Sequence, residues 1–478
     1  MADKLGSYKQ KRDFEETPEP AGGESAEEGA RFVIQQHDAR RLHWDLRLER
    51  EGVLASWALP RGVPNHPDEN RLAVRTEDHP LEYLEFHGEI PKGSYGAGTM
   101  EIWDRGTYSC EKFRDNEVIV VLTGERVQGR YALIHTRDKD WLIHRMDPPA
   151  DPAAEPMPKR IEPMRARSGK LPRDDENWGY EVKWDGVRAV VHLDGGHVEA
   201  FGRSGADVTS RYPELRELGR AVGSQRMILD GEVVAFDEQG RPSFQGLQSR
   251  MHLASDSAVR RKVREVPVTY VIFDLLWLDG HPTLGLGYQD RRSLLESLEL
   301  EGPRWRTPAY RAGDGAALLE ATKGQGIEGI MAKRLDCPYE PGRRTSGWVK
   351  VKNTASQELV IGGWTHGEGG RSKHLGALCV GVHDDEGRLV YAGKVGTGFT
   401  EATLGLLKRE LEPLRRDRSP FHGRQPPKGT VFVEPRLVAS VEFREWTQTG
   451  TLRAPSFKGL RDDVDPSDVV REPQVRAR

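Results

Sequence analysis

Short runs in the first third of the chain alternate apolar with polar residues. That period of two predicts strands at 31–36, 43–49, 99–104, 117–123, 130–136 and 141–144. Turn signals such as Lys92-Gly93-Ser94-Tyr95-Gly96 separate some of them, so the region reads as a small β-barrel or sandwich. The middle reads as mixed α/β. One strand ends at Lys183, another covers 188–193, and Asp194-Gly195-Gly196 turns the chain into His197–Phe201. Buried strands follow at 227–236 and 268–277. Strand patterns return at 358–364, 377–383, 388–394 and 430–446. One helix fits 401–414, with Thr400 as its cap and Leu404, Leu407, Leu411 and Leu414 on one stripe. Many strands and a single helix suit an OB-type barrel.

Composition sharpens these boundaries. Residues 1–30 are too polar and too rich in Pro and Gly to bury a core, which predicts a flexible tail. A barrel domain over 31–146 is followed by a stiff proline-rich linker at 147–157. The α/β domain then covers 158–355, the last β-rich domain 356–470, and a short tail 471–478. With 478 residues, 36% hydrophobic and 31% charged, the chain is ordinary for a globular protein. A net charge of −4 excludes a protein basic all over, so nucleic-acid binding must rest on local patches. Arg415-Arg416-Asp417-Arg418, Arg424 and Lys428 form one such loop, and Lys159, Arg160 and Arg165–Lys170 another. Cys110, Cys337 and Cys379 are few and far apart, which points to a reducing compartment. Neither a signal peptide nor a membrane-length apolar run is seen, so a cytoplasmic location is expected.

The chemistry centres on Lys183 in Glu181-Val182-Lys183-Trp184-Asp185-Gly186-Val187-Arg188. A lysine becomes a nucleophile when cationic or desolvating neighbours lower its pKa. Lys350 and Lys352 offer such neighbours, and alternation along Trp348–Lys352 puts both on one face with Val349 and Val351 on the other. Singly, each further residue has an ordinary alternative. Glu232 could cap a turn or bind a metal or ribose, Phe273 could be core or adenine stacker, and Arg188 and Arg203 could be solvated. Glu328, acidic amid apolar residues, leans toward a metal. In order, however, Glu-Val-Lys183-Trp-Asp-Gly-Val-Arg188, Phe-Gly-Arg203-Ser-Gly, Leu-Asp-Gly-Glu232, Phe273-Asp-Leu-Leu, Glu328-Gly-Ile-Met and Trp-Val-Lys350-Val-Lys352 resemble the ATP-dependent DNA ligases of the covalent nucleotidyltransferase superfamily. The resemblance implies an ATP-grasp-like adenylation domain in which Lys183 attacks the α-phosphate of ATP. Glu181 would then help bind the nucleotide, with Asp185 and Arg188 positioning lysine and ribose. Phe273 would stack on adenine, Arg203, Lys350 and Lys352 would complete the cofactor-binding set, and Glu232 and Glu328 would hold Mg²⁺ or Mn²⁺. The family's last motif usually ends Arg-x-Asp-Lys. Val464 replaces that lysine here, which questions self-adenylation unless Lys458 compensates.

A second set lies on His43-Trp44-Asp45-Leu46-Arg47-Leu48, where alternation sends His43, Asp45 and Arg47 one way and Trp44, Leu46 and Leu48 to the core. His37 is close enough in sequence to complete a His-His-Asp metal site suited to Mn²⁺ or another first-row ion. Arg47 beside it suits a phosphate. Residues 8–145 resemble the 3′-phosphoesterase module of the bacterial DNA ligase D proteins, through Gln35-Gln-His37, Leu-His43-Trp-Asp45-Leu-Arg47, Glu77-Asp-His79-Pro-Leu-Glu-Tyr83 and Gly-Ser-Tyr-Gly-Ala-Gly. By it His37, His43 and Asp45 bind manganese. Arg47, His79 and Tyr83 contact the scissile phosphate, and Arg61 stands where a lysine is common. Arg71, Glu77, Asp13 and Glu19 also match functional positions, which implies that the polar tail orders on the site.

Together the resemblances imply a multidomain α/β and β protein: a small β-barrel phosphoesterase, a central α/β nucleotidyltransferase and an OB-fold barrel. It would repair bacterial double-strand breaks as a monomer, acting on DNA ends and nicks with the end-binding protein Ku. A separate polymerase would fill gaps, since that module of many relatives is not seen here. An RNA ligase, a capping-type guanylyltransferase and a non-catalytic scaffold associated with Ku are the alternatives.

Overall fold

The computed structural model describes residues 4–22, 29–251, 253, 255–367 and 375–472. The parts of the two expected tails at 1–3, 23–28 and 473–478 lie outside them.

Among the described residues, nine strands build the N-terminal sheet: Arg31–Asp38, Leu42–Arg50, Val53–Leu59, Asn70–Arg75, Gly88–Ile90, Gly98–Arg114, Glu117–Gly124, Gln128–Arg137 and Asp140–Arg145. All but Gly88–Ile90 run round a closed barrel. Closure is possible because Gly98–Arg114 is long enough to pair with Arg31–Asp38 and, further along, with Glu117–Gly124. The sequence pattern misses Val53–Leu59, Asn70–Arg75 and Gly88–Ile90. Val53–Leu59 is buried at almost every position and therefore shows no alternation.

The first hairpin separates core from chemistry. Phe32, Ile34, Leu42, Trp44, Leu46 and Leu48 join the barrel core. Alternate positions look outward toward a second cluster containing Tyr8, Val33, Tyr83, Leu84 and Phe86. Tyr8 shows that the N-terminal segment is no free tail over residues 4–22. It is fully buried and its hydroxyl donates to the Pro20 carbonyl at 2.6 Å. Thr17 and Glu19 are buried with it. One well-placed tyrosine supplies the apolar anchor that average composition concealed.

The linker is likewise docked. Glu155 N–H donates to the Gly280 carbonyl at 2.7 Å, and Asp151 lies 3.2 Å from His281. Beyond it, two sheets form the central domain. One contains Arg165–Ser168, Trp178–Val182, Arg311–Ala312, Gly329–Arg334 and Arg344–Lys352. The other is built on Val187–Asp194, His197–Gly202, Met227–Ala235 and Val268–Leu278. The last domain is an OB-type sheet around Ser356–His366, Leu375–His383, Leu389–Val395, Val431–Glu442 and Ser456–Arg461. A parallel bridge from Thr397 to Ser456 draws its ends together. Its helix, Glu401–Leu411, starts at a Thr400–Thr403 capping box and buries Leu407 and Leu411 in the core. Among the described residues no helix is long and apolar enough to cross a membrane.

Candidate active sites

The barrel hairpin sets His37 directly opposite His43 and Gln35 opposite Asp45. Among the described residues, His37, His43 and Asp45 are the group of three whose ligand atoms could share a metal, all within 4.8 Å of one another. Two observations fit an ion there. His43 Nδ1 donates to the Arg41 carbonyl at 2.9 Å, which fixes the tautomer and leaves Nε2 as a lone-pair donor. His37 Nε2 is buried without a hydrogen-bond partner. Burial, with smaller pushes from His43 and Arg47, lowers the His37 pKa against the pull of Asp45 and so favours the neutral, ligating imidazole.

The surrounding groups are strongly engaged. Arg47 donates to Gln35 Oε1 at 2.7 Å, Ser56 Oγ at 3.1 Å and Asp45 Oδ2 at 2.9 Å. That leaves one N–H on each terminal nitrogen for a phosphate oxygen. His79 Nδ1 donates to the Glu77 carbonyl at 2.8 Å, so Nε2 carries the lone pair. Burial, then Arg47 and Arg12, holds the His79 pKa well below the usual imidazole range. The Tyr83 hydroxyl donates to Glu19, and its ring lies 4.8 Å from the Arg47 guanidinium. Arg12 closes the site: it pairs with Glu19 at 2.5 Å and Glu77 at 3.1 Å, with one nitrogen 3.5 Å from His79 Nε2. Arg12 was not singled out in the sequence, where it is one of several charges in a polar stretch. Asp13 accepts N–H bonds within its own turn. Arg71 faces the central domain instead, donating to Asp194 at 3.0 Å.

The second site is a cavity of about 150 Å³ between the central and C-terminal domains. Glu181, Lys183, Asp185, Arg188, Arg203, Glu232, Phe273 and Lys350 line it. Trp348, Lys350 and Lys352 share one face of their strand, while Val349 and Val351 pack against Trp178 and Ile330. The alternation is as expected, but the partner of the lysine is not. Lys183 pairs with the Glu328 carboxylate, which Lys352 also approaches at 3.3 Å, so the immediate neighbour is an anion rather than the two lysines. Burial opposes ionisation of Glu328, yet Lys183 and Lys352 hold its pKa down at about 2. Burial lifts Glu232 to about 7 against the pull of Arg188 and Arg461. Arg188 is gripped by both oxygens of Asp230, at 2.6 and 2.5 Å, and lies over Phe273 at 4.8 Å.

These two blocks are matched by known domains. The DNA Ligase D 3′-phosphoesterase domain matches residues 35–135, the ATP dependent DNA ligase domain 162–352, and the ATP dependent DNA ligase C terminal region 371–464. A mycobacterial DNA ligase D, solved in complex with ATP and MES, is 42% identical over 65% of this chain and 98% of its own, with a TM-score of 0.50. This chain belongs to the DNA ligase D family. The multifunctional non-homologous end joining proteins LigD of Mycolicibacterium smegmatis and Pseudomonas aeruginosa are 46% and 37% identical over 99% and 98% of it. The chain spans 62% of the length of each.

Several pocket residues of this DNA ligase D chain escape the motif reading. Lys333 lies 2.7 Å from Glu181 and 4.4 Å from the Phe273 ring centre, fully buried. Alternation along Gly329–Arg334 places it beside Met331 on the pocket face, a signal the sequence did contain. The C-terminal domain contributes Glu358, Arg461 and Asp463 to the lining. Glu472, expected in a tail, pairs with Lys350 and accepts from Ser168 Oγ at 2.5 Å. Val464 packs in the OB core, and Lys458 pairs at the surface with Glu442, 2.5 Å away. Lys458 therefore replaces nothing in the pocket; Arg461 is the last-motif cation that reaches it.

Proposed function

We propose that the chain prepares and seals DNA breaks, with an ATP-dependent ligase site at Lys183 and a Mn²⁺-dependent 3′-phosphoesterase site at His37, His43 and Asp45. The observation that carries the reading is the Lys183 pocket. A primary amine faces a cavity with Phe273 and Trp348 for a base, and Lys350, Arg203 and Arg461 for phosphates.

The Lys183 amine attacks the α-phosphorus of ATP. An Nζ–P bond forms, the bond to the bridging oxygen breaks, pyrophosphate leaves, and the amine releases its proton. A 5′-phosphate oxygen of DNA then displaces the lysine and takes up the AMP. The adjacent 3′-hydroxyl finally attacks that 5′-phosphorus and AMP departs. Glu232 and Glu328 suit Mg²⁺ or Mn²⁺, since such ions are commonly held by one or two carboxylates together with substrate phosphates.

At the barrel, the imidazoles of His37 and His43 and the Asp45 carboxylate would hold manganese, which supplies a Lewis acid for the phosphate. Arg47 orients a phosphate oxygen through its free N–H groups. Tyr83, whose one O–H is held by Glu19, would have to give up that bond to donate to a second oxygen, and His79 would act on the leaving group through Nε2. Substrates on this reading are 3′-phosphates or 3′-terminal ribonucleotides at DNA ends and nicks, and the partners are Ku and a separate polymerase.

The test is intact-mass measurement with Mg²⁺ and ATP. Gain of one AMP, removed by pyrophosphate, is the expected result. Labelling by GTP alone would point to the capping-type alternative.

A further inference from the structure

The turn between the two histidines is held from outside its own domain. Residues 39–41 connect His37's strand to His43's strand, and the Arg41 carbonyl is the acceptor that orients His43. The neighbouring Arg40 carbonyl accepts a bond of 2.8 Å from Arg220, in the last turn of the central-domain helix Leu215–Val222. Gly223, at φ +66°, ends that helix and brings the chain against Gln36. Ser224 Oγ then accepts from Trp103 Nε1 at 3.1 Å, and Trp103 meets Trp44 edge to face.

Beside this contact lies a buried ion cluster across the same boundary. Arg226 reaches Glu69 at 2.6 Å, Asn65 at 2.7 Å and Asp194 at 2.9 Å, while Arg71 reaches Asp194 at 3.0 Å. The Gly195-Gly196 turn fits tightly against it. A Cβ on Gly195 would lie 2.6 Å from the Arg61 carbonyl oxygen, and one on Gly196 would lie 2.6 Å from the Leu42 side chain. Opposite charges alternate through the cluster, so separating the domains would break the Arg226–Glu69 and Arg71–Asp194 pairs and leave each domain only its internal pair, Arg71–Glu69 or Arg226–Asp194.

We propose that the ligase adenylation domain is a structural part of the phosphoesterase site, with Arg220 and Ser224 as positioning residues for the metal-bearing hairpin. The proposal rests on the reading of His37, His43 and Asp45 as a manganese site. Neither Arg220 nor Ser224 lines the ligase pocket, so the two activities report separately.

The experiment titrates Mn²⁺ in 3′-phosphate removal by the full chain and measures nick sealing in parallel. Arg220→Ala is expected to raise the Mn²⁺ half-saturation about fivefold, below the range for loss of a direct partner of a metal ligand. Maximal rate at saturating Mn²⁺ and nick sealing should stay near wild type, and Arg220→Lys should restore most of the affinity. Trp103→Phe, which deletes the bond to Ser224 from the barrel side, should shift the half-saturation in the same direction. Unchanged half-saturation in both variants overturns the proposal. So does a parallel fall in sealing and phosphate removal, which marks general loosening. His43→Ala separates this failure from that of the underlying reading. If it removes 3′-phosphate like wild type, the metal site is wrong and the proposal falls with it.

Discussion

The two sites are assembled in opposite ways. Three candidate metal ligands and Arg47 come from one hairpin, within the strands Arg31–Asp38 and Leu42–Arg50. The ligase pocket gathers residues from Pro163 to Asp463 and from two domains. Their electrostatics differ accordingly. The barrel site relies on a buried imidazole, His37, held toward its neutral form, and on an arginine already bonded to Gln35, Ser56 and Asp45. The ligase pocket is crowded with charge, and the C-terminal domain places Glu358, Asp463 and Glu472 among the cations. A local site can be preorganised by backbone pairing, whereas a dispersed one is set by how domains close. The lesson is that the dispersed site should respond to domain contacts directly, and the local one through the support of its turn.

The largest effect should come from Lys183→Ala. It removes the nucleophile, so AMP transfer should fall at least ~10³-fold, with no mass adduct by intact-mass measurement and normal 3′-phosphate removal. His43→Ala is the mirror experiment: Mn²⁺-dependent phosphate removal should drop at least ~10²-fold while nick sealing stays within about twofold. Equal damage to both activities in either folded variant would contradict the division into two sites.

Acid tolerance gives a third, smaller contrast. His192 lies in the central sheet, against Phe201 rather than either site, and burial lowers its pKa to about 4. Between the unfolded value of 6.5 and that value the unfolded chain binds the proton and the folded chain does not. Its contribution is present above pH 6.5 and is lost as pH falls toward 4. At pH ~5 the cost is about 2 kcal/mol. His192→Phe should therefore flatten the acid limb of stability measured by urea unfolding, leaving both activities at neutral pH unchanged. The smallest effect is expected for Glu472→Gln. Freed of this carboxylate, Lys350 should bind nucleotide phosphate more readily, lowering the ATP half-saturation of adenylation about fivefold, or ~1 kcal/mol. An unchanged or raised half-saturation would show that Glu472 does not compete with ATP.

The sequence by itself determined many of the strands with one wet face, though not Asn70–Arg75, because alternation records the burial of one face only. It determined the His43–Arg47 face for the same reason, and brought Lys183, Glu232, Phe273 and Lys350 into one expected pocket through the order of their motifs. It could not show Val53–Leu59, which is buried on both faces, nor Tyr8, a single anchor in a polar stretch. Tertiary structure alone decided that Glu328 rather than a lysine meets Lys183, and that Arg461 rather than Lys458 enters the pocket. It alone brought Arg220 to the turn beside His43. Those contacts join residues far apart in sequence, whose pairing depends on how domains pack and leaves no local period to read.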